Sequence, residues 1–199
     1  MRRIVVGVSG ASGTIYGVRL VRELIRAGVE THLVVTRAAR RVGDLELPGG
    51  IEEAESLADA VYGDDDFAAP PASGTFRCDG MVVAPCSVKT LSGVANSYAE
   101  GLLVRAADCM LKERRRLVLV VRETPLHEGH LRLMTRATRL GGIILPPVPG
   151  FYTRPRSVDD VVNHTVGKIL GLFGIEHDLY RPWEGGMIDP RGGDHTGDA

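Results

Sequence analysis

The sequence predicts a single α/β domain with a doubly wound, Rossmann-like or flavodoxin-like parallel sheet and helices on both faces. Three observations predict this fold class. Short continuous apolar runs alternate with segments of helical periodicity, glycine-rich turns lie between the two, and no internal repeat interrupts the alternation. Continuous apolar strands indicate a sheet that is covered on both faces.

The first unit is a strand, a glycine turn and a helix. Ile4 to Val8 is an apolar run of strand length, and apolar residues recur at helical spacing from Ile15 to Ile25. Gly28 ends that helix, and Thr31 to Val35 is predicted to be a second buried strand. A helix between two strands predicts that the strands are parallel.

Later segments repeat the pattern. Strands are predicted at 81–84, 117–121 and 143–145, and helices after Pro85, over 102–115 and over 158–172. Between Leu45 and Arg77 the periodicity weakens, and we expect a long excursion with one helix near 51–60. Residues 184–199 are rich in glycine and aspartate without periodicity, which predicts a flexible tail after a domain of residues 1–183.

The composition argues against several function classes. A formal net charge of -1 leaves no excess of positive charge for duplex phosphates, and only 5% of the residues are aromatic. No apolar run approaches the ~20 residues of a membrane span, and Gly7 interrupts the first run before signal-peptide length. Three cysteines without a C-x-x-C pair are typical of reduced, buried thiols. We expect a cytoplasmic protein that binds neither nucleic acid nor membrane.

Polar turns follow the first three predicted strands, where open α/β sheets bind their ligands. The turn from Gly7 to Gly13 offers N–H groups and two hydroxyls at a helix start, which suits a phosphate; a plain tight turn is the alternative. Ser9 replaces the second glycine of the dinucleotide fingerprint. Thr36 by itself is more typical of a helix cap. With Ser87 to Thr90, the three turns fit a mononucleotide.

Charged side chains surround the predicted strand 117–121. Arg105, Asp108 and Lys112 share one helix face. This row of charges either belongs to a binding site or is a solvated face held by ion pairs. Arg122 and Glu123 follow the strand and are expected to face the same crevice as the three turns.

Cysteine, histidine and aspartate do not form a convincing reactive or metal-binding motif. Cys86 has no histidine near it in sequence, which favours a buried structural thiol over a nucleophile. His127-Glu128-Gly129-His130 lacks the last histidine of H-E-x-x-H, because Leu131 stands there. The run Asp64 to Asp66 is typical of a solvated acidic turn. We therefore predict no metal site.

The motifs together resemble the UbiX-like flavin prenyltransferases of the homo-oligomeric flavin-containing Cys decarboxylase superfamily. The resemblance covers about residues 2 to 183. It rests on Gly10-Ala11-Ser12-Gly13, Pro71-Ala72-Ser73-Gly74, Pro85-Cys86-Ser87-Val88-Lys89-Thr90-Leu91-Ser92, Leu111-Lys112-Glu113-Arg114-Arg115, Val121-Arg122-Glu123-Thr124-Pro125-Leu126, Pro149-Gly150-Phe151-Tyr152 and Arg181-Pro182-Trp183.

The resemblance implies a reaction and its binding residues. A dimethylallyl group would pass from dimethylallyl monophosphate to reduced FMN, giving the prenylated FMN that a UbiD-type decarboxylase uses. The residues implied for FMN are Gly10, Ala11, Ser12, Thr36, Ser87, Val88, Lys89, Thr90 and Arg122. Those implied for the prenyl phosphate are Lys112, Arg122, Tyr152 and Lys168. From the sequence alone, Lys168 could instead be a surface lysine whose stem lies along apolar residues.

Catalytic roles are implied for Ser12, Glu46, Lys112 and Glu123, with the two glutamates assisting proton movements at the flavin and the departing phosphate. Phe67 is a candidate for the wall of the prenyl pocket. Family members assemble as dodecamers with sites at subunit junctions, so we expect more than one chain to contribute to each site.

Two rival functions remain open from the residues. One is an FMN-dependent cysteine decarboxylase of the same superfamily, although the turn after Pro85 departs from its asparagine-containing P-A-S-A-N-T motif. The other is a flavin carrier without catalytic activity, which would not need the second phosphate site implied by Lys112 and Tyr152.

Overall fold

The computed structural model describes residues 2–183, so the predicted tail at 184–199 lies outside the described residues. The strands are β1 (Arg3–Val8), β2 (Glu30–Val35), β3 (Ala60–Gly63), β4 (Gly80–Cys86), β5 (Arg116–Val121) and β6 (Gly142–Ile144). The helices are α1 (Thr14–Arg26), α2 (Arg37–Glu46), α3 (Glu52–Leu57), α4 (Val88–Asn96), α5 (Leu102–Lys112), α6 (Glu128–Arg139) and α7 (Val158–Leu172).

Within the described residues the strands form one six-stranded sheet in the order β3-β2-β1-β4-β5-β6. Every neighbouring pair is parallel. This order is that of the Rossmann fold, and the predicted doubly wound α/β class is confirmed.

Alternating residues of the central strands bury both faces of the sheet. Ile4 and Val6 of β1 pack with α1 and α7 on one face, whereas Val5 packs with α4 and α5 on the other. Covering both faces requires apolar residues at every position, which explains why the strand reads as a continuous run instead of an alternation.

The 45–77 segment contains more structure than the sequence predicted. The expected helix is α3, but the chain then forms β3, a four-residue edge strand paired with β2. β3 was not predicted because its residues are only partly buried and show no apolar run. α6 was not predicted either, because Ala137 is its one buried residue.

The acidic turn after β3 has a structural role that was not predicted. The Asp64 carboxylate accepts a hydrogen bond from the N–H of Leu103 at 2.8 Å, and its carbonyl accepts from Leu102 at 2.7 Å. Asp64 therefore caps the start of α5 and ties the turn to that helix.

None of the helices in residues 2–183 combines the length and the apolar character that a membrane span needs.

Candidate active site

The boundary between β1 and β4 is where the strand order reverses. The two strands are neighbours, and later strands are added outward on both sides. Such a switch point leaves a crevice outside the carboxyl ends of the strands. Helices α1, α2 and α4 follow β1, β2 and β4, so all three begin at this edge. Their first-turn N–H groups have no partner within the helix, which makes the edge suitable for an anion.

Ser9 joins the loops on the two sides of the switch point. Its buried hydroxyl donates to the carbonyl of Pro85 at 2.9 Å and accepts from the N–H of Ser87 at 2.8 Å. Its own carbonyl accepts from the N–H of Ala11 at 2.9 Å. A glycine at position 9 would lose both hydroxyl bonds. The sequence analysis missed this role, although a serine in place of the fingerprint glycine was the available signal.

The turn between β1 and α1 presents bare backbone. Gly13 caps α1 with φ 100°, a left-handed conformation that favours glycine. A Cβ on Gly10 would collide with the Cβ of Ala38 in α2. Among the described residues, the N–H groups of Gly10 and Ser12 have no hydrogen-bond partner. A cradle of free N–H groups without side chains fits the phosphate of a mononucleotide.

Glu46, the last residue of α2, lies against the start of α1. Its Oε2 accepts from the N–H of Gly13 at 2.9 Å and of Thr14 at 3.0 Å. Burial raises the pKa of this carboxyl, but hydrogen bonds from the Ser12 side chain and the two N–H groups bring the pKa below its ordinary value. The structure thus brings Ser12 and Glu46 together and keeps Glu46 ionised at neutral pH.

Thr36 and Ser87 are N-cap residues at the same edge. The Thr36 hydroxyl accepts from the N–H of Ala39 at 3.1 Å, which confirms the predicted cap. The Ser87 hydroxyl accepts from the N–H of Thr90 at 3.3 Å and lies 3.1 Å from its hydroxyl. Residues 88–89 then form the first turn of α4, where N–H groups are available to an anion.

Two side chains beside this turn have other partners. Cys86 is fully buried, as predicted, and burial raises the pKa of its thiol far above the ordinary value. The exposed Lys89 ammonium lies 3.5 Å from the Glu100 carboxylate. Lys89 can therefore contribute its backbone N–H at the start of α4, whereas its ammonium group pairs with Glu100.

Arg122 and Glu123 directly follow β5 at the same edge. The N–H of Arg122 donates to the carbonyl of Cys86 at 3.1 Å, which ties this segment to the end of β4. Burial raises the pKa of Tyr16 in α1, and the positive charge of Arg122 partly opposes that shift. The bond to Cys86 places the Arg122 backbone beside the loop that begins α4. Glu123 is exposed and accepts from the N–H of Thr124 at 3.0 Å.

Lys112 lies at the amino-terminal ends of the parallel strands, opposite the carboxyl ends where Arg122 lies. It ends α5 four residues before β5 begins, whereas Arg122 comes after β5 has crossed the sheet. A six-residue strand spans about 20 Å. Lys112 pairs with Glu113, and Gly74 lies so close that an added Cβ would collide with both side chains. One chain does not bring Lys112 to Arg122.

The helix face that carries Lys112 contains the ion pair expected from the sequence. Arg105 and Asp108 lie 3.2 Å apart, and the Arg105 guanidinium also donates to the carbonyl of Ala72 at 3.0 Å. The Pro71 to Gly74 motif therefore packs against α5. Phe67, in the loop before it, is 51% exposed.

Tyr152 and Lys168 form a third group, around α7. Tyr152 lies in a 3₁₀ turn and is 54% exposed, and its hydroxyl is 3.1 Å from Nε2 of His164. Lys168 follows His164 by one helical turn, close enough to lower the pKa of His164. The Trp183 ring contacts Tyr152 edge-on at a centroid distance of 5.9 Å.

Histidine and acidic side chains do not gather as a metal site in the part of the chain that the structure describes. His127 instead caps α6, where its Nδ1 accepts from the N–H of Gly129 at 3.0 Å.

Comparison with known proteins decides the family. The model of the Flavoprotein family matches residues 1–169. The flavin prenyltransferase UbiX of Escherichia coli strain K12 is 55% identical over 188 residues, which cover 93% of this chain and all of the relative. The chain belongs to the UbiX family of flavin prenyltransferases.

Solved structures of UbiX proteins share the fold. AnUbiX in complex with FMN and dimethylallyl pyrophosphate superposes with a TM-score of 0.91 at 46% identity, covering 92% of this chain and 98% of that one. A dodecameric FMN-dependent UbiX-like decarboxylase from Escherichia coli O157:H7 gives a TM-score of 0.89 at 46% identity, covering 92% and 100%. The family resemblance of the motifs is thereby confirmed.

Proposed function

We propose that residues 1–183 transfer a dimethylallyl group from dimethylallyl monophosphate to reduced FMN, and that a UbiD-type decarboxylase receives the prenylated FMN. The observation that carries the proposal is the convergence of three helix N-termini, the bare Gly10 turn and Arg122 at the switch point of a UbiX-family chain. The free N–H groups and the guanidinium at this edge suit the phosphate of a flavin mononucleotide.

FMN binding is assigned to the three turns. The free N–H groups of Gly10 and Ser12 and the first turns of α2 and α4 can donate to the FMN phosphate, in the manner of helix N-termini. Gly10, Ala11, Ser12, Thr36, Ser87, Val88, Lys89, Thr90 and Arg122 make up this set. The lack of side chains at Gly10 lets the ligand approach the backbone closely.

The prenyl phosphate is assigned to Lys112, Arg122, Tyr152 and Lys168. These residues come from three parts of the chain, and the sheet separates Lys112 from Arg122 by about the length of β5. We infer that subunits combine at each site, with one chain contributing Arg122 and another contributing Lys112. A dodecameric UbiX-like relative supports an assembly of this kind.

Clustered cations suit the bond-breaking step. When the allylic C–O bond breaks, the phosphate leaves with the electron pair, and fixed positive charges stabilise the developing negative charge. The dimethylallyl cation left behind needs an apolar, electron-rich surround, which aromatic side chains supply. The structure of a relative in complex with FMN and dimethylallyl pyrophosphate, which carries the same allylic group, supports this assignment.

Proton movements are assigned to Ser12, Glu46 and Glu123. Ser12 directly precedes Gly13, whose N–H binds the ionised Glu46, so a hydroxyl and a carboxylate at the start of α1 can hold and pass a proton at the flavin edge. Glu123 stands beside Arg122, where a carboxyl can exchange a proton with the departing phosphate.

A cytoplasmic location is part of the proposal. Cys78, Cys86 and Cys109 are all free thiols, as is usual in a reducing compartment.

Mass spectrometry of the extracted flavin tests the function. The protein is incubated anaerobically with reduced FMN and dimethylallyl monophosphate, and the flavin is expected to gain one dimethylallyl unit. Unmodified FMN in that assay would contradict the proposal. Oxidative decarboxylation of a cysteine-ended peptide would then indicate the rival enzyme, and FMN that is bound and released unchanged would indicate a carrier.

A further inference from the structure

His164 is the buried partner of an exposed site residue. Its Nε2 lies 3.1 Å from the Tyr152 hydroxyl, and the two rings meet edge to face at 82° with centroids 5.8 Å apart. His164 is 9% exposed, whereas Tyr152 is 54% exposed. One side of the phenol is therefore held by the protein, and the other remains open to a ligand.

The His164 ring has little room to move. A Cβ on Gly150, at the start of the turn that carries Tyr152, would lie 2.9 Å from Cε1 and 3.2 Å from Nε2 of His164. The Tyr180 ring contacts His164 at a centroid distance of 5.0 Å. The imidazole thus has a defined orientation relative to the Tyr152 hydroxyl.

The His164 ring is neutral at neutral pH. Burial lowers its pKa, and the positive charge of Lys168 lowers it further. The ionisable groups around the ring are Tyr152, Lys168 and Tyr180, with His177 behind Tyr180. A neutral imidazole carries one N–H, so the Nε2 atom either donates to Tyr152 or accepts from it.

The two arrangements differ in what Tyr152 offers to a phosphate. If the phenol donates to His164, the ligand meets only oxygen lone pairs, which repel an anion. If Nε2–H donates to the phenol oxygen, the phenol proton is free for the phosphate, which can only accept.

We propose that His164 is a positioning residue that donates Nε2–H to the Tyr152 hydroxyl and so directs the Tyr152 proton to the phosphate of the prenyl donor. The inference rests on the proposed function only in taking Tyr152 as a phosphate contact.

A double-mutant cycle tests the inference in the full-length oligomer. Four proteins are compared: the parent, His164→Leu, Tyr152→Phe and the double variant. His164→Gln is the conservative variant, because the glutamine amide can place an N–H near the Nε2 position. His177→Leu is the matched control, because His177 contacts the same Tyr180 ring without reaching Tyr152.

We expect His164→Leu to raise KM for dimethylallyl monophosphate roughly five- to tenfold, the usual size of one lost hydrogen bond. In the Tyr152→Phe background the same change should cost nothing further, since no phenol proton is left to direct. His164→Gln should recover most of the affinity, and His177→Leu should match the parent. An equal loss in both backgrounds, or no loss in the parent background, would overturn the inference.

Calorimetric titration of the protein loaded with oxidised FMN, using dimethylallyl monophosphate, separates this inference from the proposed function. If the parent binds the compound but forms no prenylated flavin, the proposed function fails, and the cycle still decides the role of His164 from the affinities. A parent protein that binds no dimethylallyl monophosphate would overturn the inference itself.

Discussion

The carboxylate of Glu46 accepts hydrogen bonds from the backbone N–H groups of Gly13 and Thr14, so the end of α2 caps the start of α1. A residue that the family resemblance places in catalysis thus also stabilises the loop that we propose binds the flavin phosphate. The N–H groups bonded to Glu46 are not available to a ligand, which leaves those of Gly10 and Ser12 for that purpose.

Glu46 should contribute pH-dependent stability. Its folded pKa is lowered, so its contribution is present above the ordinary carboxyl pKa of about 4.3 and is lost as the pH falls through the folded pKa. Glu46→Gln should lower the free energy of unfolding at pH ~7 by roughly 0.5–1 kcal/mol, the usual size of a helix-cap contribution.

Thermal unfolding of parent and variant across acidic to neutral pH measures that difference. Glu176→Gln, at an exposed carboxylate in the loop after α7, is the control and should follow the parent at every pH. A Glu46→Gln difference that stays constant down to the lowest pH would contradict the assignment.

Gly10→Ala should weaken FMN binding. The added methyl group collides with Ala38, so either the turn or α2 must shift, and the free N–H groups shift with it. We expect Kd for FMN to rise by roughly tenfold or more, the effect of about 1.4 kcal/mol or one misaligned charge-assisted hydrogen bond. Flavin fluorescence measures the affinity. Gly171→Ala, on α7 with nothing within 4 Å of the new Cβ, is the control and should bind FMN as the parent does.

Lys112→Ala should leave FMN bound and slow prenyl transfer by about 10²–10³, because a fixed charge on the leaving phosphate is lost. Arg122→Ala should also be slow. Mixed oligomers of the two variants should regain activity, since some sites then combine an intact Lys112 from one chain with an intact Arg122 from another. Differently tagged chains, coexpressed and purified through both tags, provide the mixed species. No recovery would mean that both residues come from the same chain.

Glu123→Gln separates a proton-transfer role from an electrostatic one. If Glu123 only orients Arg122, the change should raise KM with little effect on the saturated rate. We expect instead that substrate binding is kept and the saturated rate falls by roughly 10²–10⁴, as for loss of a general acid or base. Single-turnover kinetics at saturating prenyl phosphate gives the rate, and a near-parent value would exclude proton transfer by Glu123.

Chelation should not affect the reaction. The proposed phosphate partners are side-chain cations, and the described residues contain no group of three or more potential metal ligands. We expect prenylation to be equal with and without EDTA. Activity that disappears with EDTA and returns with magnesium would show that a divalent ion, and not only Lys112, Arg122 and Lys168, binds the phosphate.

Local patterns in the sequence predicted much of this molecule. Largely apolar runs predicted five of the six described strands and hence the doubly wound sheet, because burial on both faces leaves few polar positions in a central strand. The same strands place the turns at Gly10, Thr36 and Ser87 on one edge. Their grouping followed from topology alone, since parallel strands all end at the same edge.

Only the tertiary structure decided how the remaining site residues relate to one another. Glu46 reaches Ser12 because α2 returns toward the start of α1, and Ser9 joins two loops that are distant in sequence. Lys112 and Arg122 flank the same strand in sequence, yet the strand's own length places them on opposite edges of the sheet. The length of a strand separates the residues before it from those after it, whereas the approach of Glu46 to the start of α1 depends on the path that the folded chain takes between them.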